Sequence, residues 1–407
     1  MLKTFDKFKY PLIQPRLFKD DLREGLKVLK SGQITMSKRT KKFEKDFAKY
    51  IGAKYAVMVN SGSSANLLAT CASCNPERKI TFNRNDEVLI PGICWSTSLW
   101  PLIQFGLKPV FVDVDPMTLN IDINDLKKKI TKKTKVIFCV HVLGNASDIS
   151  KIKEISRINK LIMIEDTCES LGSNFKNKKL GTFGDFGTYS FYYSHQISSG
   201  EGGMVVCNDK NDYRILLSLR AHGWSRDRDD HKRILRKNSQ LDPRFVFVNY
   251  GFNLRPLEIQ AAIANQQLKK INFLKKNRNF NRSQIIKLFK MHKKNNGKLI
   301  FIDDAKNVEC NWFGLPILLA KKLKKSKKKI VQMIEKKGIE TRPIISGNIL
   351  NQPAIRLFKL NKKKIILKNC QDVEDRGFFI GINSVKTNER MLKFVANSLN
   401  RVLDKFK

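Results

Sequence analysis

The sequence predicts an α/β protein: a large unit with a mostly parallel central sheet over residues 1–265, then a smaller carboxyl-terminal α+β unit over residues 266–407. From residue 55 onward, short runs rich in Val and Ile alternate with turns and helical stretches. The runs are continuously apolar, as in strands covered on both faces, and such strands belong to parallel sheets flanked by helices. Near residue 265 this rhythm stops, and helices mixed with a few short strands follow. A chain of 407 residues is long enough to bury a large core.

In order, the predicted strands of the first unit are "YAVMVN", "EVLIPG", "PVFVDV", "KVIFCVHV", "LIMIED", "TYSFYY" and "GMVVCN". "GFNLRPLEIQAAIANQQLKKI" reads as a long helical pattern that carries the chain into the second unit. There, polar helix ("RNFNRSQIIKLFKMHKK") is followed by the strands "WFGLPILL", "ETRPII" and "GFFIGI" and a closing helix, "NERMLKFVANSLNRVLDKF". No fixed-period repeat or low-complexity linker separates the units, so they are expected to pack as one catalytic body.

The net charge is +41, with 78 basic and 37 acidic side chains. The basic residues thicken at Lys127–Lys133, Lys269–Arg278, Lys321–Lys329 and Lys362–Lys364 without one concentrated face. No nucleic-acid-binding signature accompanies them, so they read as solvated surface that attracts small anions. Eight cysteines in a chain this long do not form a disulfide framework. Only Cys71 and Cys74 have metal-ligand spacing, and with no second pair they read as helix core, so no metal site is expected. The amino-terminal "MLKTFDKFKYPLIQPRLF" lacks the apolar stretch of a leader, and no run of about 18 apolar residues occurs. A cytoplasmic protein that does not enter the membrane is expected.

Three segments could carry chemistry. In "VNSGSSANLLA" a strand gives way to small residues and a helix near Ala65, so the amides of Gly62, Ser63 and Ser64 could cradle phosphate; an ordinary capped turn reads equally well. In "LIMIEDTCES", Asp166 ends a strand, facing the crevice where open α/β sheets bind ligands, and could hold a ring nitrogen protonated. The alternative is that Glu165 and Asp166 cap a following helix. In "PGICWSTSLWP", Trp95 follows a strand and could lie against an aromatic ring, or be ordinary packing.

Together with "GTFGDFGTYSFYYSHQISSGEGG", these segments resemble the aspartate-aminotransferase (fold type I) superfamily of pyridoxal-phosphate (PLP) enzymes, and within it the DegT/DnrJ/EryC1/StrS sugar aminotransferases. The likeness runs from "KKFEKDFAKYIGAKYAVMVNSGSSA" through "KPVFVDVDPMTLNID", "KTKVIFCVHVLG" and "GFNLRPLEIQAAI" to "FFIGINSV". In that family the position of His195 holds the lysine that binds the cofactor covalently. Here "SFYYSHQ" resembles the "SFYPAHH" type of segment in the sugar-nucleotide 3-dehydratase branch, with Tyr193 for its proline and Gln196 for its second histidine. "TRPIISGNILNQPA" also looks like that branch.

The resemblance implies roles by motif position. Gly62, Ser63, Ser64 and Ser190 would hold the phosphate, Trp95 would stack on the ring and Asp166 would pair with its nitrogen. Glu169 stands where the family usually has glutamine or histidine near the ring hydroxyl, and Asn253 would reach the phosphate of the neighbouring subunit in a homodimer. His222 could be a second proton carrier or equally a structural imidazole, and Arg342 could bind a substrate diphosphate or a glutamate carboxylate.

An imidazole cannot condense with an aldehyde, so the resting cofactor would be untethered pyridoxamine phosphate (PMP), whose amine can condense with a ketone. On a nucleotide-linked 4-keto-6-deoxy sugar, an imidazole titrating near its ordinary 6.5 could take the proton released beside the cofactor ring and return it to the departing C3 hydroxyl. The expected products are a 4-keto-3-deoxy sugar, ammonia and PLP, with glutamate restoring the amine, in deoxysugar or lipopolysaccharide O-antigen biosynthesis. Three alternatives stand beside this one: a PLP-dependent sugar aminotransferase, an iron-sulfur 3-dehydratase, and an inactive ligand-binding homologue. Residues 219–250 hold no cysteine, and Cys310 and Cys370 stand alone downstream, which disfavours a cluster.

Overall fold

The computed structural model describes residues 8–13, 17–362 and 364–406. The amino-terminal stretch weighed as a leader lies partly outside them, as does Lys363 of the fourth basic run. Seven strands form the central sheet: β1 Tyr55–Val59, β2 Glu87–Pro91, β3 Lys108–Val112, β4 Thr134–Val140, β5 Ile162–Asp166, β6 Phe186–Ser190 and β7 Gly203–Cys207. Their order is β1-β7-β6-β5-β4-β2-β3, all parallel except β7, which is antiparallel to both neighbours. The carboxyl ends of β1, β2, β5 and β6 therefore open at one rim.

Every residue of β2, β5, β6 and β7 is buried, as continuous apolar runs require. The helices include α1 Lys19–Ser31, α2 Lys38–Ile51, α3 Gly62–Ser73, α4 Ser96–Gln104, α5 Ile149–Ile158, α6 Lys210–Arg220, α7 Glu258–Leu268 and α8 Ile271–Lys290. Beyond them, β8 Leu299–Phe301, β9 Gly314–Leu319, β10 Thr341–Arg342 and β11 Gly377–Gly381 make an antiparallel sheet ordered β8-β9-β11-β10. The closing helix is α9, Glu389–Leu403. One continuous apolar cluster joins Ile90, Phe138 and Ile164 of the central sheet to Ile317, Phe378 and Val395 of the second part.

Three boundaries differ from the sequence expectation. The helical pattern expected from Gly251 begins only at Glu258, because Pro256 disfavours helix at Arg255 and the chain up to Leu257 is extended. The strand read as "TYSFYY" ends at Ser190, where the chain turns and leaves Tyr192 and Tyr193 exposed. The helix expected near Ala65 starts at Gly62, capped by Ser61, whose hydroxyl accepts the Ser64 amide at 3.0 Å. Cys71 lies buried in α3 beside the Tyr250 hydroxyl, and among the described residues no group of three His, Cys, Asp or Glu side chains is arranged to hold a metal. No described helix is long and apolar enough to cross a membrane.

Candidate active site

Asp166, at the end of β5, is the centre of a buried polar cluster. Its Oδ2 accepts from Asn66 Nδ2 and from the Ser98 hydroxyl, each at 2.7 Å, and its Oδ1 accepts the Cys168 amide at 3.1 Å. The Thr188 hydroxyl donates to Asn66 Oδ1 at 2.6 Å, which fixes the amide so that its nitrogen faces the carboxylate. A carboxylate has about four acceptor positions, so one remains for a further donor such as a protonated ring nitrogen.

No helix follows Asp166, so the helix-cap alternative fails. Glu165 instead holds a loop. Its Oε1 accepts the amides of Phe183 (2.6 Å) and Gly184 (2.8 Å), and its Oε2 accepts the Gly181 amide (2.8 Å) and pairs with His141 Nε2 at 3.0 Å. Burial alone would raise the Glu165 pKa, but the His141 contact and the amides of Gly184 and Gly181 outweigh it and keep the carboxyl below its usual value. The stabilisation is therefore present above the unfolded pKa of about 4.3 and lost as pH falls through the lower folded value. Glu165→Ala is expected to cost about 3–5 kcal/mol, measured by urea unfolding at pH 7, and the difference from the parent should shrink in acid.

The phosphate-cradle candidates lie at the same rim. A Cβ on Gly62 would sit 2.5 Å from the Ser190 Cβ and 3.1 Å from Cys168 Sγ, so only glycine lets α3 begin this close to the ends of β5 and β6. The first turn of a helix leaves its amides without intrahelical partners. The Ser64 hydroxyl donates to Asn60 Oδ1 at 2.5 Å, and Ser63 Oγ lies 3.0 Å from Thr97 Oγ1, which ties α3 to α4. Trp95 precedes α4 and is 56 % exposed.

Glu169 is half-buried on the turn after β5, its Oε2 accepting the Leu143 amide at 3.0 Å. Burial, with the Asp166 charge added and the Leu143 amide opposing, pushes its pKa up to about 8, so it is mostly a neutral acid at pH 7.

His195 lies five residues past Ser190. Its ring meets Phe313 edge-on at 5.2 Å and Tyr192 at 5.9 Å, and Nδ1 is 3.3 Å from the Ser194 hydroxyl; no hydrogen bond joins it to Asp166 or Glu169. The expectation of an ordinary imidazole near 6.5 is corrected here: burial, with the Arg278 charge beside it, pushes His195 down to about 3. Its neighbour Gln196 donates to the carbonyls of Glu169 and, at 3.2 Å, of Asn311, which anchors the loop.

Asn253 is exposed, bridged to Ala221 and bonded to Arg255 Nε at 3.0 Å, and the carbonyl of its neighbour Leu254 accepts the Asn60 amide at 3.1 Å. His222, with φ at +59°, packs on Trp224. Arg342 pairs with Glu340 at 2.8 Å. The sequence reading missed Asn66, Thr97, Ser98 and Thr188, whose signal was polarity inside otherwise apolar runs such as "ANLLATCA".

Compared with models of protein families, residues 15–399 match one family. The chain belongs to the DegT/DnrJ/EryC1/StrS aminotransferase family. Among relatives in this family, a GDP-4-keto-6-deoxy-D-mannose 3-dehydratase of Yersinia pseudotuberculosis is 37% identical over 387 residues, covering 94% of this chain and 96% of its own. A solved GDP-4-keto-6-deoxymannose 3-dehydratase, a histidine-to-asparagine mutant with bound GDP-perosamine, has a TM-score of 0.86 at 35% identity, covering 96% of this chain and 100% of its own. Another structure of such an enzyme, with a trapped PLP-glutamate geminal diamine, has a TM-score of 0.84 at 35% identity and the same coverage. The DegT/DnrJ/EryC1/StrS fold accounts for the α/β architecture and the mostly parallel sheet described above.

Proposed function

We propose that the chain is a PMP-dependent lyase that removes the C3 hydroxyl of a nucleotide-linked 4-keto-6-deoxyhexose, with glutamate regenerating the amine form of the cofactor. GDP is the nucleotide named in the similar dehydratases, and one of them has been captured with glutamate joined to PLP. The observation that carries the reading is the pairing of a buried carboxylate at the end of β5 with a histidine on the loop after β6.

The residues fit the cofactor. Asp166 retains an acceptor position for the ring nitrogen, and the start of α3 presents the amides of Gly62 and Ser63 beside the Ser190 hydroxyl for the phosphate. Neutral Glu169 can donate a hydrogen bond where the family usually places glutamine or histidine. When bound, PMP supplies the amine that joins the keto carbon and a ring that withdraws electrons. Asp166 keeps that ring nitrogen protonated. Neutral His195 accepts the proton released beside the ring and gives it up to the C3 oxygen as water leaves.

Exposed Asn253 fits a role at the site of a second subunit in a homodimer, and the chemistry suits a cytoplasmic enzyme of deoxysugar and lipopolysaccharide biosynthesis. Purified protein given PMP, glutamate and a panel of nucleotide 4-keto-6-deoxy sugars should release a 3-deoxy sugar and ammonia. An amino-sugar product or a brown iron-sulfur absorbance would overturn the reading.

A further inference from the structure

Arg278, on α8, is 6% exposed, and no described carboxylate lies within ion-pair distance of it. A buried cation without a counter-charge is costly, so its hydrogen bonds must be specific. Nη1 donates to the carbonyls of Phe313 (3.2 Å) and Ile382 (3.3 Å), Nη2 donates to the carbonyl of His195 (3.4 Å), and Nε has no partner.

One planar group thus joins three segments distant in sequence: the chain entering β9, the chain leaving β11 and the loop after β6. Phe313 is engaged twice, its carbonyl by Arg278 and its ring edge-on to His195. Burial lowers the Arg278 pKa to about 10, which still leaves it charged at neutral pH.

Arg278 and His195 also line one cavity together, with Phe313 and Ile382 in the same wall.

We propose that Arg278 is a positioning residue for His195: its guanidinium clamps the His195 carbonyl to those of Phe313 and Ile382 and so sets where the imidazole points. The proposal rests on the reading of His195 as the proton carrier. A flexible ammonium cannot span three carbonyls as a planar fork does, so lysine is a partial substitute only.

The test compares Arg278→Met and Arg278→Lys in the full chain. Arg278→Met is expected to lower kcat about 10²-fold, the scale of a misplaced catalytic group, with KM for the sugar nucleotide changed less than about threefold and Lys intermediate. Amide exchange across residues 191–199 in the cofactor-free protein should accelerate about tenfold, with α3 and β5 unchanged. His195→Asn and His195→Asn/Arg278→Met should be equally slow, because a residue acting through His195 has nothing left to position.

Unchanged kcat, a rise in KM alone, additive losses or unchanged exchange would each overturn the proposal. If Arg278→Met does not fold, Arg278→Lys carries the same measurements. If the parent protein does not dehydrate sugars, the functional reading fails by itself, and the exchange comparison still decides whether the clamp exists.

Discussion

Replacing His195 with lysine is expected to reduce release of the 3-deoxy sugar by at least about 10³-fold and to let PLP attach covalently to the protein. General acid–base catalysis by a positioned side chain contributes about 10²–10⁴-fold, and an amine restores the bond to the aldehyde that an imidazole cannot make. Mass spectrometry after borohydride reduction should find the cofactor on residue 195 of the variant and nowhere in the parent. A parent chain with the cofactor bonded to another side chain would sink the mechanism.

The pH profile carries a second sign of the same group. Since burial and Arg278 push His195 down to about 3, the folded protein favours the neutral ring. No fall in kcat/KM attributable to this imidazole is expected between pH 8 and 5. Folding stability should instead decline as pH falls below the unfolded histidine value of about 6.5, because the unfolded chain then binds the proton that the half-buried ring refuses. An acid limb near 6.5 that disappears in His195→Asn would contradict this.

Substitution of Asp166 has the other large expected effect. Asp166→Ala should weaken PLP and PMP binding by about 10–100-fold, as expected for loss of a charge-assisted hydrogen bond worth about 1.5–3 kcal/mol. It should also lower turnover about 10³-fold, since a ring nitrogen that is not held protonated withdraws electrons poorly. Asp166→Asn is the sharper variant: it keeps a carbonyl for the Ser98 and Asn66 donors but not the negative charge, so it should bind the cofactor and turn over poorly. Spectrophotometric titration of the cofactor beside a single-turnover assay separates the two effects. Full activity in folded Asp166→Asn would remove Asp166 from the mechanism.

The alternation of apolar runs and helices placed all seven central strands, because strands buried on both faces leave an uninterrupted apolar signature that does not depend on what covers them. The place of Asp166 was legible for the same reason, because parallel strands bring their carboxyl ends to one rim, whereas Ser190 and His195 were assigned by the family resemblance. Glu165 was not legible. Its partners His141, Gly181, Phe183 and Gly184 lie 16 to 24 residues away, and next to Asp166 it looked like half of an acidic helix cap.

By itself, the sequence determined the class of fold, since that is written in residue type and local spacing, and the family resemblance of "SFYYSHQ" implied an imidazole at residue 195 where the family has an amine. Only the tertiary structure decided that Asn66 and Ser98 hold Asp166, that burial and Arg278 push the His195 pKa down, and that Arg278 is buried against the His195 carbonyl. Those depend on desolvation and on contacts across 68 to 104 residues, and a side chain's burial is a property of what folds over it.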